Sequence, residues 1–299
     1  MIKYIFSSRL FLQKSYCMRN FLFPLIFLAT FFSSCQKEED NNGEDMPVTM
    51  LNVSYGSNTQ QKMDVYLPAG RSTTATKVII MIHGGGWNTG DKADFNQYVD
   101  SLKKREPTYA IFNINYRHAD PPDIFPAQEN DVKAAVEFIY NNRTAYRISD
   151  KFVLIGASAG SHLALLQGYK QPAPVKVKAI IDFFGPTDLT EMYNNPTSPL
   201  VQVLLAGVIG GNPTTQSLMY QTSSPLNYVT SQSPPTLLLH GGIDIVVPSS
   251  QSVLLNNKLQ ANSVVHQYIF YPTEGHGWVG ANLIDSFDKI QAFLAANVN

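Results

Sequence analysis

Residues 151–166 join a short buried strand, a turn made of glycine, alanine and serine, and the start of a helix, and few folds accept that succession. Phe152–Ile155 mixes aromatic and β-branched residues and is too brief for a helix, so it reads as a strand. Gly156-Ala157-Ser158-Ala159-Gly160 follows, and then an apolar stretch, Leu163, Leu165 and Leu166, with helical spacing. In this strand–turn–helix context a G-x-S-x-G motif holds its serine on a sharp turn, with the hydroxyl clear of the backbone. A side chain at either glycine would collide with the neighbouring strand or helix. The helix that starts just after Ser158 aims backbone N–H groups at any negative charge that develops beside it.

The remaining chain supports a large α/β architecture. Lys77–His83, Tyr109–Tyr116, Val177–Phe184, Thr236–His240 and Val264–Tyr271 are further strand candidates. Helices are predicted after Gly90 up to Leu102, over Pro126–Tyr140 with Val132, Ala135, Val136 and Ile139 on one face, over Ser250–Ala261, and over Ile284–Ala296. Residues 48–68 read as an opening antiparallel pair. Strands alternating with helices predict a mostly parallel central sheet covered by helices on both faces. Thr187–Tyr228 breaks that rhythm; it is rich in Asn, Pro, Ser and Thr around an apolar Leu200–Ile209, and is expected to form a small helical lid, about 187–228, within one domain over 48–299.

The chain has 299 residues, 44% of them apolar and 15% charged, with a net charge of −1, which suits a buried globular core. No long basic run points to nucleic acid. Both cysteines, Cys17 and Cys35, precede the body, which therefore offers neither a disulfide framework nor a thiol nucleophile.

Two loops carry candidate chemistry besides the serine turn. Gly84-Gly85-Gly86-Trp87 follows a buried strand directly, and three glycines leave its backbone N–H groups open to a ligand at the strand's carboxyl end. A serine hydroxyl also needs a base, and the base needs a partner that fixes its tautomer. His276, flanked by Gly275 and Gly277 just past a strand, is the base candidate; Asp244, in the glycine-rich loop after Thr236–His240, is its partner. Asp188 is the competing acid, although its loop comes one strand early. His83 is expected to brace the glycine loop, His162 to pack behind the serine turn, and His240 to be a satisfied core histidine; His118 and His266 have no catalytic context. Asp131 lies within a helix as a structural or solvated carboxylate, and Asp91, Tyr116, Trp87 and Trp278 either line a pocket or simply pack.

The order Ser158, Asp244, His276, together with His83-Gly84-Gly85-Gly86-Trp87 and the Gly156–Gly160 turn, resembles the α/β-hydrolase fold carboxylesterases. More narrowly, it resembles their hormone-sensitive-lipase-like and feruloyl/acetyl-esterase-like branch, to which Asn115-Tyr116-Arg117 and Gly185-Pro186-Thr187-Asp188-Leu189 are also similar, over about residue 50 to the C-terminus. The resemblance implies Ser158 as nucleophile, His276 as base, Asp244 as its orienting acid, and the N–H groups of Gly85, Gly86 and Ala159 as an oxyanion hole, with no metal or organic cofactor required.

Phe21–Phe32, preceded by Arg19, fits the apolar region of a secretory signal and is too short to span a membrane. Ser33-Ser34-Cys35 resembles a bacterial lipobox, departing from it at Phe32, and implies lipidation of Cys35 with residues 1–35 as the signal. Translation is expected to start at Met18. The acidic Gln36–Asp40 that opens a tether over 36–47 resembles the surface-export signal of Bacteroidota lipoproteins. The expectation is an exported outer-membrane lipoprotein, displayed at the cell surface and held there by its lipid alone. Its substrate would be a small ester or an acylated external glycan. The alternatives are an amide- or peptide-cleaving hydrolase of formamidase or aminopeptidase type, and a non-catalytic surface binding lipoprotein.

Overall fold

Eight strands form one sheet in the order β1-β2-β4-β3-β5-β6-β7-β8. They are β1 (Val48–Ser54), β2 (Lys62–Leu67), β3 (Val78–Ile82), β4 (Ala110–Ile114), β5 (Phe152–Ala157), β6 (Ala179–Phe183), β7 (Thr236–Gly241) and β8 (His266–Tyr271). The computed structural model describes residues 46–299; the signal, Cys35 and nearly all of the expected tether lie outside the described residues. β1 and β2 pair antiparallel, as do β2 and β4, and every other pairing is parallel.

The helices are α1 (Asn96–Arg105), α2 (Ala127–Asn141), α3 (Arg143–Tyr146), α4 (Ala159–Lys170), α5 (Leu189–Asn194), α6 (Pro199–Ile209), α7 (Ser217–Thr222), α8 (Ser250–Ala261) and α9 (Ala281–Asn297). Among the described residues no helix is long and apolar enough to cross a membrane.

Strand residues alternate between two cores, because successive side chains point to opposite faces. Ile80, Ile82, Phe112, Leu154, Ile180 and Leu238 pack on one face with α2, α4 and α8. Ile79, Met81, Ile111, Val153, Ile181 and Leu237 pack on the other with α1 and α9. Burial on both faces explains why β3 and β5 read as unbroken apolar runs. β4 stops at Ile114, short of the predicted Tyr116, whose buried ring turns away to donate from its hydroxyl to the His83 carbonyl at 3.1 Å.

The chain runs from β3 outward to β4 and then returns to place β5 on β3's other side, so the order of the strands reverses at β3. Such reversals open a crevice at the carboxyl ends of the strands. Ile82 pairs with Gly156 there, which sets the glycine loop after β3 beside the serine turn after β5. The segment 187–228 folds as α5, α6, α7 and a 3₁₀ turn at Pro225–Tyr228. α6 opens on Pro199 and ends at Gly210, whose left-handed φ of 84° and N–H bond to Ala206 close the last turn.

Candidate active site

Ser158 sits at φ 54° and ψ −122°, a backbone conformation that costs a non-glycine residue roughly 1–3 kcal/mol. Packing on either side of the turn imposes that strain. A Cβ on Gly160 would run into the carbonyls of Ile82 and His83, so only glycine lets α4 seat directly on β3. Gly160→Ala is therefore expected to lower stability by about 1–3 kcal/mol, as overpacking does. Gly207→Ala, on an exposed helical position with nothing within 4 Å of the new methyl, is expected to raise it slightly. Thermal denaturation of the two variants checks the contrast.

His276 reaches Ser158 from the loop after β8. Its Nε2 lies 2.9 Å from Ser158 Oγ, and its Nδ1 lies 2.7 Å from Asp244 Oδ2. An ionised carboxylate only accepts, so Nδ1 carries the ring's hydrogen and Nε2 is free to accept from the serine hydroxyl. The other carboxylate oxygen, Oδ1, accepts from the N–H groups of Val246 at 2.8 Å and Val247 at 3.0 Å. Burial by itself pushes the Asp244 carboxyl up. The bonds from His240, His276 and the Val246 N–H outweigh it and hold the group well below the usual carboxylate range. Phe184 packs its ring 4.6 Å from that of His276.

The glycine loop is braced from below. His83 stacks on Tyr116 at 4.4 Å and shares a 2.6 Å hydrogen bond with the Gly84 carbonyl. Gly85 adopts φ 115°, where a side chain would strike the Thr89 carbonyl, and its own carbonyl accepts from the N–H groups of Asn88 and Thr89. No hydrogen bond among the described residues uses the N–H of Gly85 or Gly86. Ala159 is the first residue of α4, so its N–H lacks an intrahelical partner. The arrangement can deprotonate a serine hydroxyl and leaves three N–H donors in the segments flanking it.

The other candidates have structural work. Asp188 accepts the Glu191 N–H at 3.0 Å, capping α5. Asp131 is buried against Arg117 at 2.8 Å and Gln61 at 2.7 Å. Asp91 caps the turn before α1. His162, fully buried behind the serine turn, accepts from the Trp87 indole at 3.1 Å and donates to the Ser223 carbonyl at 2.7 Å. Burial holds its pKa down to about 4, so it is neutral and matches that pairing. His118 bonds the Gly90 carbonyl, and His266 that of Val264. Trp278 lines an apolar cavity of about 60 Å³ with Ala157, Phe184, Gly277 and Phe95.

Sequence reasoning missed two neighbours of the site. Leu204 of α6 lies against the glycine loop, 3.2 Å from where a Cβ on Gly86 would stand, and no local motif marks it. His240 has its hydrogen bonds satisfied within the core, yet its Nε2 is also 3.4 Å from Asp244 Oδ2. Its position at a strand end four residues before Asp244 was the available signal.

The BD-FAE family profile matches residues 63–259. Esterase LipC of Mycobacterium tuberculosis (strain ATCC 25618 / H37Rv) is 27% identical over 239 residues, covering 76% of this chain and 59% of LipC. Among solved structures, a bifunctional GH43-CE protein of Bacteroides eggerthii superposes with a TM-score of 0.72 and 28% identity, covering 82% of this chain and 38% of that one. A truncated form of a carbohydrate esterase from gut microbiota gives 0.71 and 27%, covering 83% and 95%. The chain spans about half to three-fifths of the length of three curated esterases it matches. With the eight-stranded, mostly parallel sheet and its flanking helices, these matches show that the chain belongs to the BD-FAE family of α/β-hydrolase-fold carboxylesterases.

Proposed function

We propose that this protein is a serine-dependent carboxylic ester hydrolase. The observation that carries the proposal is the continuous path from Ser158 Oγ through His276 to Asp244, at 2.9 and 2.7 Å, beside a side-chain-free glycine loop. Ser158 attacks the ester carbonyl as His276 Nε2 takes its proton, and Asp244 stabilises the imidazolium. The N–H groups of Gly85, Gly86 and Ala159 receive the oxyanion; one such donor supplies roughly 3–4 kcal/mol of transition-state stabilisation. His276 then protonates the departing alcohol, and water, activated by the same imidazole, releases the acid from Ser158.

The proposed substrates are short acyl esters, acetyl or feruloyl, carried by external glycans. The description of one solved relative as a carbohydrate esterase supports the glycan. The cavity lined by Ala157 and Gly277, the chain neighbours of Ser158 and His276, measures about 60 Å³, well below the roughly 150 Å³ that takes up benzene, and so favours acetyl over the aromatic feruloyl group. Residues 46–299 should be assayed on p-nitrophenyl esters from acetate upward, methyl ferulate and acetylated xylan, next to Ser158→Ala. Serine-dependent turnover favouring acetyl esters is expected; a folded protein inert on every ester would bring the amide-cleaving reading forward.

The proposal also places the enzyme at the outer membrane, displayed outward, through a lipid on Cys35, in keeping with the small residues before it and the acidic residues after it. Cys35→Ser is expected to move the protein from the membrane fraction to the soluble one, and unchanged fractionation would remove the anchor.

A further inference from the structure

The buried ring of His240, at the end of β7, is held on both sides. Nε2 lies 3.0 Å from the Val247 carbonyl and 3.4 Å from Asp244 Oδ2. Both are acceptors, so Nε2 carries a hydrogen. Nδ1 lies 2.7 Å from Ser252 Oγ on α8. His240 is thereby tied to both ends of the loop that presents Asp244. The outer part of that loop is exposed at Ile243 and Ile245 and gains a 3.3 Å bond from Thr197 Oγ1 to the Val246 carbonyl.

Asp244 Oδ1 is taken up by the two loop N–H groups, which leaves Oδ2 to two imidazoles. The remaining charged or titratable neighbour of His240 is Asp182 on β6. Its Oδ1 accepts from the Ser161 hydroxyl and, at 2.8 Å, the Gly185 N–H, while its buried Oδ2 has no hydrogen-bond partner among the described residues. The ring of Phe184 packs near both imidazoles, 6.4 Å from His240 and 4.6 Å from His276.

We propose that His240 is a positioning residue for the reaction: by pinning the Val247 carbonyl and placing a second N–H beside Asp244 Oδ2, it keeps that oxygen aimed at His276 Nδ1. This rests on the reading of Ser158, His276 and Asp244 as the catalytic groups. His240 acts through Asp244 and does not touch the substrate. His240 favours the ionised form of Asp244, as His276 does at the same carboxylate oxygen.

Two substitutions separate this role from plain packing. His240→Gln places its amide where Nε2 stands and keeps the donor toward Val247 and Asp244. His240→Asn places its amide at the Nδ1 position and keeps only the Ser252 side. With p-nitrophenyl acetate, His240→Asn is expected to lose about ten- to a hundred-fold in kcat at unchanged KM, the effect of removing one hydrogen bond to a charged group. His240→Gln is expected to stay close to the parent. The low-field proton resonance of His276 Nδ1–H, identified by its loss in His276→Ala, should persist in His240→Gln and move upfield in His240→Asn.

Parent-like kcat and an unmoved resonance in a folded His240→Asn would overturn the proposal. Equal losses in both variants, tracking a lowered melting temperature, would also overturn it, by reducing His240 to packing. A parent enzyme without Ser158-dependent turnover would instead remove the underlying reading, an outcome visible before either variant is made.

Discussion

Replacing Ser158 by alanine is expected to lower kcat on p-nitrophenyl acetate by about a million-fold, the scale seen when a serine nucleophile acting with a base is removed. The loss is that large because the hydroxyl supplies the atom that bonds to the acyl carbon, and no other hydroxyl among the described residues is hydrogen-bonded to His276. His276→Ala is expected to lose about as much, and the double variant no more, since each residue is idle without the other. Neither change should unfold the protein. Ser158 keeps its left-handed conformation through the packing around Gly160, and the His276 side chain is partly exposed. Steady-state rates with thermal melts for all three variants check this; Ser158→Ala with parent-like kcat would leave the serine without a role.

Asp244→Asn is expected to cost about ten-thousand-fold in kcat. The N–H groups of Val246 and Val247 demand an acceptor at Oδ1, so the new amide oxygen stays there and the NH₂ faces His276. His276 Nδ1 must then accept, its hydrogen moves to Nε2, and the ring can no longer take a proton from Ser158. Asp188→Asn provides the contrast. Asparagine caps a helix about as well as aspartate, so the bond to the Glu191 N–H persists and activity should stay near the parent value. A damaging Asp188→Asn beside a harmless Asp244→Asn would assign the acid to the wrong loop.

Much of this arrangement was legible in the chain because it lies where strands end. β3, β5 and β7 are buried on both faces, so their apolar runs stand out, and the residue types just past them announce a glycine loop, a serine turn and an acid. His276 was legible in the same way, although β8 is an edge strand with a more mixed pattern. What brings the four loops together is the placement of β5 beside β3, and no local pattern encodes that order.

Contacts made across the fold were hidden for the same reason. α6 could be read as an apolar segment, but not that Leu204 would rest on the glycine loop while Leu200 and Val203 face outward. His240 looks like any histidine closing a buried strand until the following loop folds back and brings Asp244 to 3.4 Å. Asp182 gives no signal either; burial raises its pKa to about 6, against the pull of the Ser161 hydroxyl and the Gly185 N–H, only once α4 has docked over β6.

In the proposed mechanism Ser158 becomes covalently acylated during turnover. Acid quenching during a rapid burst with p-nitrophenyl acetate, followed by intact mass measurement and peptide mapping, tests it most directly. One acetyl group per chain is expected, on the peptide containing Ser158, and none on Ser158→Ala. Hydrolysis at the parent rate with no adduct under those conditions, or an adduct on another residue that persists in Ser158→Ala, would contradict it.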